Sequence, residues 1–155
     1  MMEFSLKDHI LPLHHVGFIV KDIDRSLDFY RNKLGFSLYN RWTEPVEEVE
    51  NGMCIPGASL ELAQVVGYGC MLEFIRFVTS EGSDEKFLSN HIGTGHVSFL
   101  VKDLPAVVEH LKSVGVSFCS DPVVLPNSSW VMFYDPDGIR VEIMEFYRNK
   151  GFENR

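Results

Sequence analysis

Two histidines open near-identical stretches of this chain. HVGFIVKDI runs from His15 to Ile23, HVSFLVKDL runs from His96 to Leu104, and six of the nine positions are the same. A lone histidine at the head of an apolar run is ordinarily a core residue with its ring nitrogens satisfied. A pair at matching places in a repeat raises the question of a shared task. The repeat also carries carboxylates. MLEFIRF, Met71 to Phe77, aligns with RVEIMEF, Arg140 to Phe146, and sets Glu73 on Glu142. A carboxylate within an apolar strand is costly unless it is paired or holds a metal. His15, Glu73, His96 and Glu142 are therefore four candidate ligands related by pseudo-symmetry. Two neutral imidazoles and two carboxylates balance a divalent cation. A nitrogen and oxygen set without cysteine suits Zn, Mn, Co, Ni or Fe.

The elements that must position these groups follow from periodicity. Strand alternation puts His15 on one face with Gly17 and Ile19, and Glu73 on one face with Ile75 and Phe77. Val16, Phe18, Val20, Leu72 and Phe74 fall on the other face, where a helix can cover them. Gly17 and Ser98, beside the histidines, leave room for a ligand. By the same alternation His14 faces away and is structural. Ile23, Leu27, Tyr30 and Leu34 then recur at helical spacing, with Asp22 or Asp24 as cap and Gly35 as terminator. The second copy repeats the face with Leu104, Val108 and Leu111, capped by Asp103, with Pro105 in the first turn and Gly115 at the end. His15 and His96 are 81 positions apart, but Gly35 and Gly115 only 80, so the second helix is one residue shorter.

Strand-like runs follow each helix: FSLYNRW, ASLELAQVV and CMLEFIRFV in the first half, VSFCSDPVV, WVMFYD and IRVEIMEF in the second. GYG and DPDG supply tight turns before the last strand of each half. EPVEEVENGMCIPG and TSEGSDEKFLSNHIGTG read as surface segments, the second with a short helix at SDEKFL. The expected fold class is α+β: two tandem βαβββ modules forming a curled mixed β-sheet around a metal-centred cleft, with helices outside. One domain spans residues 1–155, with module 1 at about 12–78, a linker at about 79–93 and module 2 at about 94–148.

Composition narrows the partners. The 155 residues carry 14 Lys and Arg against 22 Asp and Glu, a net charge of −8. Without a basic run to neutralise phosphates, nucleic acid is not an expected partner. No apolar run reaches the roughly 20 residues that span a bilayer. MMEFSLKDH has no signal-like pattern, so the expected location is cytoplasmic. Cys54, Cys70 and Cys119 are odd in number, lack metal-site spacing, and read as buried, reduced thiols.

HVGFIVKDIDRSLDFYRNKLGF, GHVSFLVKDL and FYDPDGIRVEIME together resemble the vicinal oxygen chelate superfamily, over about residues 12–148. That superfamily includes glyoxalase I, methylmalonyl-CoA epimerase, extradiol dioxygenases, and the fosfomycin- and bleomycin-resistance proteins. The resemblance implies metal ligands on the first and last strands of each module, here His15, Glu73, His96 and Glu142. An acidic residue at position 73 is similar to the glyoxalase and epimerase branch. Extradiol dioxygenases and fosfomycin-resistance enzymes use two His and one Glu. The stretch from Glu73 through KFL to GTGH is similar to epimerases, although the doubled histidine falls at His14–His15 rather than before His96. The implied function is that of a metal-dependent isomerase or lyase acting on a thioester or hemithioacetal through a metal-stabilised enolate. Such an enzyme would be methylmalonyl-CoA epimerase-like or glyoxalase I-like (lactoylglutathione lyase), with the epimerase motif slightly the closer. The base would be Glu142, Glu73 or Glu61, the last matching an epimerase glutamate on the third strand. Glu61 also reads as a solvent-facing strand residue, and Arg41 and Arg76 as solvated. The expected assembly is a homodimer around a small-molecule substrate. The alternatives are a metal-free binding or resistance protein and an extradiol dioxygenase.

Overall fold

The computed structural model describes residues 5–6, 9–85, 87–88 and 90–147. The first module runs β1 (Val16–Ile19), α1 (Ile23–Asp28), β2 (Ser37–Glu44), α2 (Val46–Met53), β3 (Ser59–Gly67) and β4 (Cys70–Thr79). The second runs β5 (His96–Leu100), α3 (Leu104–Ser113), β6 (Val123–Val124), β7 (Ser128–Tyr134) and β8 (Arg140–Phe146). The strand orders are β1-β4-β3-β2 and β5-β8-β7-β6, two four-stranded sheets of matching topology. In each, the first strand lies parallel to the last and the other neighbours are antiparallel. This is the α+β pair of βαβββ units that the repeat implied. Among the described residues, no helix is long and apolar enough to cross a membrane.

The helices begin as their caps require. The Asp22 carboxylate accepts the Arg25 N–H at 3.0 Å, and Asp103 accepts that of Ala106 at 3.0 Å. Asp24 is thus not the cap. It sits in the first turn, where Arg41 pairs with it and holds its carboxyl below the usual range. The extra residue of the first helix has a specific home. Beyond Asp28 the backbone continues as a π-helical turn, Phe29–Lys33, in which the Leu34 N–H reaches back five residues to Phe29. A π-turn accommodates one added residue within a helix. Both copies then stop on glycines at φ +79° and +80°, Gly35 and Gly115, a conformation costly for any residue with a Cβ.

One core joins the modules. Leu72 and Phe74 of β4, Val141 and Ile143 of β8, Tyr30 and Leu27 of the first helix, and Val108 and Leu111 of α3 belong to the same buried cluster. Phe36 meets Phe99 across the modules with ring centroids 5.7 Å apart. The DPDG turn docks polar groups on the first helix: Asp137 pairs with Arg25, and the Tyr30 hydroxyl donates to Asp135 at 3.3 Å. Asp135 also accepts the N–H groups of Asp137 and Ile139 at 2.9 and 2.8 Å. Burial nevertheless raises its pKa to about 6, because the backbone donors only partly offset desolvation.

Three local expectations need correction. EPVEEVENGM is not all surface coil, because α2 forms there after Pro45 and buries Val49 against Leu60, Leu62 and Ile75. SDEKFL forms no helix among its described residues. VSFCSDPVV is not one strand: Phe118 makes an isolated bridge to Phe133, and β6 retains only Val123 and Val124 beyond Pro122, which has no N–H for a ladder. The cysteines are free, but Cys54 and Cys119 are exposed rather than buried.

Candidate metal centre

Each module brings one histidine beside one glutamate. β1 lies parallel to β4 with Gly17 opposite Glu73, so His15, two residues earlier on the same face, leans over the carboxylate. Its Nε2 is 3.4 Å from Glu73 Oε1. β5 repeats this on β8 with Ser98 opposite Glu142, and His96 Nε2 is 3.7 Å from Glu142 Oε2. Two ligands of one ion, each roughly 2.1 Å from it, sit roughly 3.0–3.4 Å apart. The first pair is at that separation and the second is within a few tenths of an ångström. Both carboxylates are nearly enclosed, Glu73 at 7% and Glu142 at 9% exposure. Oxygens so buried and facing an imidazole nitrogen form a donor set that fits a divalent cation.

The support behind the two pairs differs. Gln64 of β3 faces Glu73 and donates from Nε2 to its Oε2 at 2.6 Å, which leaves Oε1 towards His15. His15 is steadied by an Nδ1–Nδ1 contact with His14 at 2.8 Å. Such a contact fixes ring orientation and directs Nε2 to the carboxylate. His14 and His15 both lie just before β1, and their rings meet edge-on with centroids 5.1 Å apart. In the second module Met132 holds the place of Gln64, and Gly95 precedes His96. Glu142 has no side-chain hydrogen bond among the described residues.

Glu61 is not brought to either pair. In the unbroken register from Leu60 to Gly67, Gln64 is opposite Glu73, so Glu61, three residues away, points to the other side of the sheet. There its Oε1 accepts from Arg41 Nε at 3.0 Å and its Oε2 from Arg76 Nη1 at 3.2 Å. It belongs to a charge network with Asp24 on the helix side. The candidates Glu73 and Glu142 lie in the candidate centre; Glu61 does not.

The two pairs are also separate from one another. Leu72 and Phe74, which flank Glu73, and Val141 and Ile143, which flank Glu142, all enter the shared core. The glutamates between them therefore point away from it. Among the described residues of one chain, no group of three or more His, Cys, Asp or Glu side chains could hold a metal. Instead each outer face is open beside its histidine, although α2 covers Leu60, Leu62 and Ile75 on the Glu73 side. Ile19 and Leu100, at equivalent places beside the histidines, are 59% and 57% exposed.

Sequence reasoning missed two residues on these faces, Gln64 and Arg140. Both were within reach: a two-residue turn at Tyr68–Gly69 sets Gln64 across from Glu73, and Arg140 is two residues before Glu142, hence on its face.

Duplicated βαβββ units with one His–Glu pair on each outer sheet face define a class of protein. The chain belongs to the Glyoxalase/Bleomycin resistance protein/Dioxygenase superfamily, whose family model matches residues 12–143. It is 32% identical over 145 residues to a lactoylglutathione lyase of Pseudomonas aeruginosa, a match covering 85% of this chain and 81% of that protein. It is 23% identical over 159 residues to a 2-epi-5-epi-valiolone epimerase of an Actinomyces species, covering 94% and 85%. The crystal structure of a glyoxalase family protein from Bacillus cereus superposes with a TM-score of 0.79 over 94% of this chain and 98% of that one. At 20% sequence identity this is a likeness of fold.

Proposed function

We propose that this protein is a metal-dependent isomerase or lyase whose centre forms between two copies of the chain. His15 and Glu73 of one copy would join His96 and Glu142 of the other. One observation carries the reading: two equivalent His–Glu pairs, one at the spacing of two metal ligands and the other within a few tenths of an ångström of it, stand on separate outer faces of one chain. An isologous dimer would complete two such centres and cover Ile19 and Leu100. A divalent ion held there would supply a Lewis acid for charge that develops on two neighbouring substrate oxygens.

The chain's own part is to move a proton. A base must leave its resting contact to reach a carbon acid. Glu73 is tied by Gln64, whereas Glu142 faces the imidazole of His96 and has no side-chain hydrogen bond among the described residues. Glu142 is therefore the proton carrier in this reading, and Glu73 the fixed ligand. Return of the proton to the neighbouring carbon is the glyoxalase I outcome, which the lactoylglutathione lyase relative favours. Return to the opposite face of the same carbon is epimerisation, which the epimerase relative keeps as the second reading. The substrate class is a hemithioacetal or acyl thioester.

Two measurements test this. Purified protein should carry about one divalent ion per chain, as a dimer with one centre per ligand quartet requires. In deuterated water it should exchange the substrate proton of the methylglyoxal–glutathione hemithioacetal or of methylmalonyl-CoA. Full metal retention in His96→Ala and Glu142→Ala would remove the centre, and exchange with neither compound would remove both activities.

A further inference from the structure

Arg140 is a buried cationic residue that the proposed reaction does not use. It is only 7% exposed. Among the described residues its guanidinium has no carboxylate within 4.0 Å, no side-chain hydrogen bond and no aromatic ring beneath it. Three other arginines differ: Arg25 pairs with Asp137, Arg41 with Asp24 and Glu61, and Arg76 with Glu61. Its guanidinium nitrogens are not sealed from solvent, since among the described residues the buried side-chain nitrogen without a partner is Arg76 Nε, so the Arg140 fork is open to an anion from outside the chain.

Its place says what that partner is. Arg140 is opposite His96 on one side and Tyr134 on the other, and it shares the face of Glu142, two residues on. The corresponding residue of the first module is Met71, so the repeat carries this cation in one copy only. Two neutral histidines, two carboxylates and a divalent ion sum to no net charge. Arg140 would then leave the loaded centre with one positive charge, in a setting where the guanidinium fork fits a planar or tetrahedral oxyanion through paired N–H donors.

We propose that Arg140 is the substrate-anchoring residue of this centre, and that it takes an oxyanion group, a carboxylate or a phosphate, carried by the substrate beside its chelating oxygens. This rests on the proposed metal centre for its position, and narrows the substrate class to anionic acyl compounds. The guanidinium lies on the second module alone, so each centre of the dimer has one anchor and the substrate binds in one direction.

The test uses the metal-free full chain, with malonate and inorganic phosphate as probes in calorimetric titrations at fixed ionic strength. Wild type should bind at least one of them saturably. Arg140→Met should weaken that binding roughly tenfold or more, the worth of a hydrogen-bonded charge, and Arg140→Lys should be intermediate. The tighter probe identifies the oxyanion. NMR of the arginine Nε–H groups gives a readout in unmutated protein, where one resonance, missing in Arg140→Lys, should move with probe concentration. Equal affinity in wild type and Arg140→Met, or an Nε resonance insensitive to both probes, overturns the proposal. So does an Arg140→Met chain that self-associates more weakly while binding anions unchanged, because the guanidinium then pairs with a carboxylate of a second copy. Metal content of wild type and His96→Ala, measured separately, judges the metal centre, so the two readings can fail independently.

Discussion

Gln64 reaches Glu73 at 2.6 Å, and His14 touches His15 at 2.8 Å; in the second module Met132 and Gly95 occupy those places and donate nothing. The two modules have the same strand order, the same aspartate caps and the same terminal glycines, yet they hold their histidine and glutamate differently. The first pair is closer, 3.4 Å against 3.7 Å, and is braced from behind. The second is unbraced and has Arg140 beside it. Duplication supplies two equivalent His–Glu pairs, and the proposed proton-transfer centre would benefit from their inequivalence: one carboxylate that stays and one that moves. The difference suits a rigid half and a reactive half.

The strongest way to break this comparison is to remove a ligand from each module and mix the products. Glu73→Ala and Glu142→Ala should each abolish activity alone. Refolded together in equal amounts, they should recover about a quarter of wild-type activity, because half the dimers are mixed and each mixed dimer has one intact centre. His96→Ala mixed with Glu142→Ala, both in the second module, should recover none. Recovery in neither mixture would place all four ligands in a single chain.

Next in size is the polar staple between modules. Asp135 has its folded pKa raised from 3.8 to about 6, so the folded state keeps a proton that the unfolded chain releases. Its stabilising contribution is complete below about pH 4 and is lost as the pH rises through about 6, on the order of 2–3 kcal/mol. Asp135→Asn should flatten this part of the stability–pH curve measured by urea unfolding. The first module's equivalent turn, Tyr68–Gly69, has no acid and should contribute no slope.

Exchanging the braces comes third. Gln64→Met, which copies the second module into the first, should lower metal affinity about 10- to 100-fold by metal-buffer titration. Met132→Gln should raise affinity and slow turnover, since it would tie down Glu142. Unchanged kinetics in Met132→Gln would return the role of base to Glu73. The smallest effects belong to the helix caps. Asp22→Ala and Asp103→Ala should each cost about 1 kcal/mol in denaturant unfolding, alike to within half of that, because the two caps have the same geometry.

The repeat made much of this legible. HVGFIVKDI and HVSFLVKDL carry strand, cap and candidate ligand in nine residues, and alternation around Glu73 and Glu142 marks their inner and outer faces. What escaped depends on pairings between strands. Glu61 looks like a strand carboxylate equal to Glu73 until the β3–β4 register sets it on the other face. Arg140 is visible as a residue on the Glu142 face, but only the fold reveals that it is buried and unpaired among the described residues. The helix Val46–Met53 was obscured by its acidic run, although Val46, Val49 and Met53 share a helical stripe; Val49 alone is buried by it. The relation of the two outer faces involves a second chain and has no local signal.

The π-helical turn at Phe29–Lys33 has a consequence for how such a repeat can age. An insertion in a strand would turn every following side chain over, and a histidine or glutamate beyond it would leave its face. Here the odd residue is taken up inside the helix, and the chain returns to the same glycine and the same strand register. The helices thus act as length buffers. Insertions and deletions between a module's first strand and its second can accumulate there without disturbing the chemistry, while the strands on either side remain free to vary only by substitution, as Gln64 against Met132 and Met71 against Arg140 illustrate.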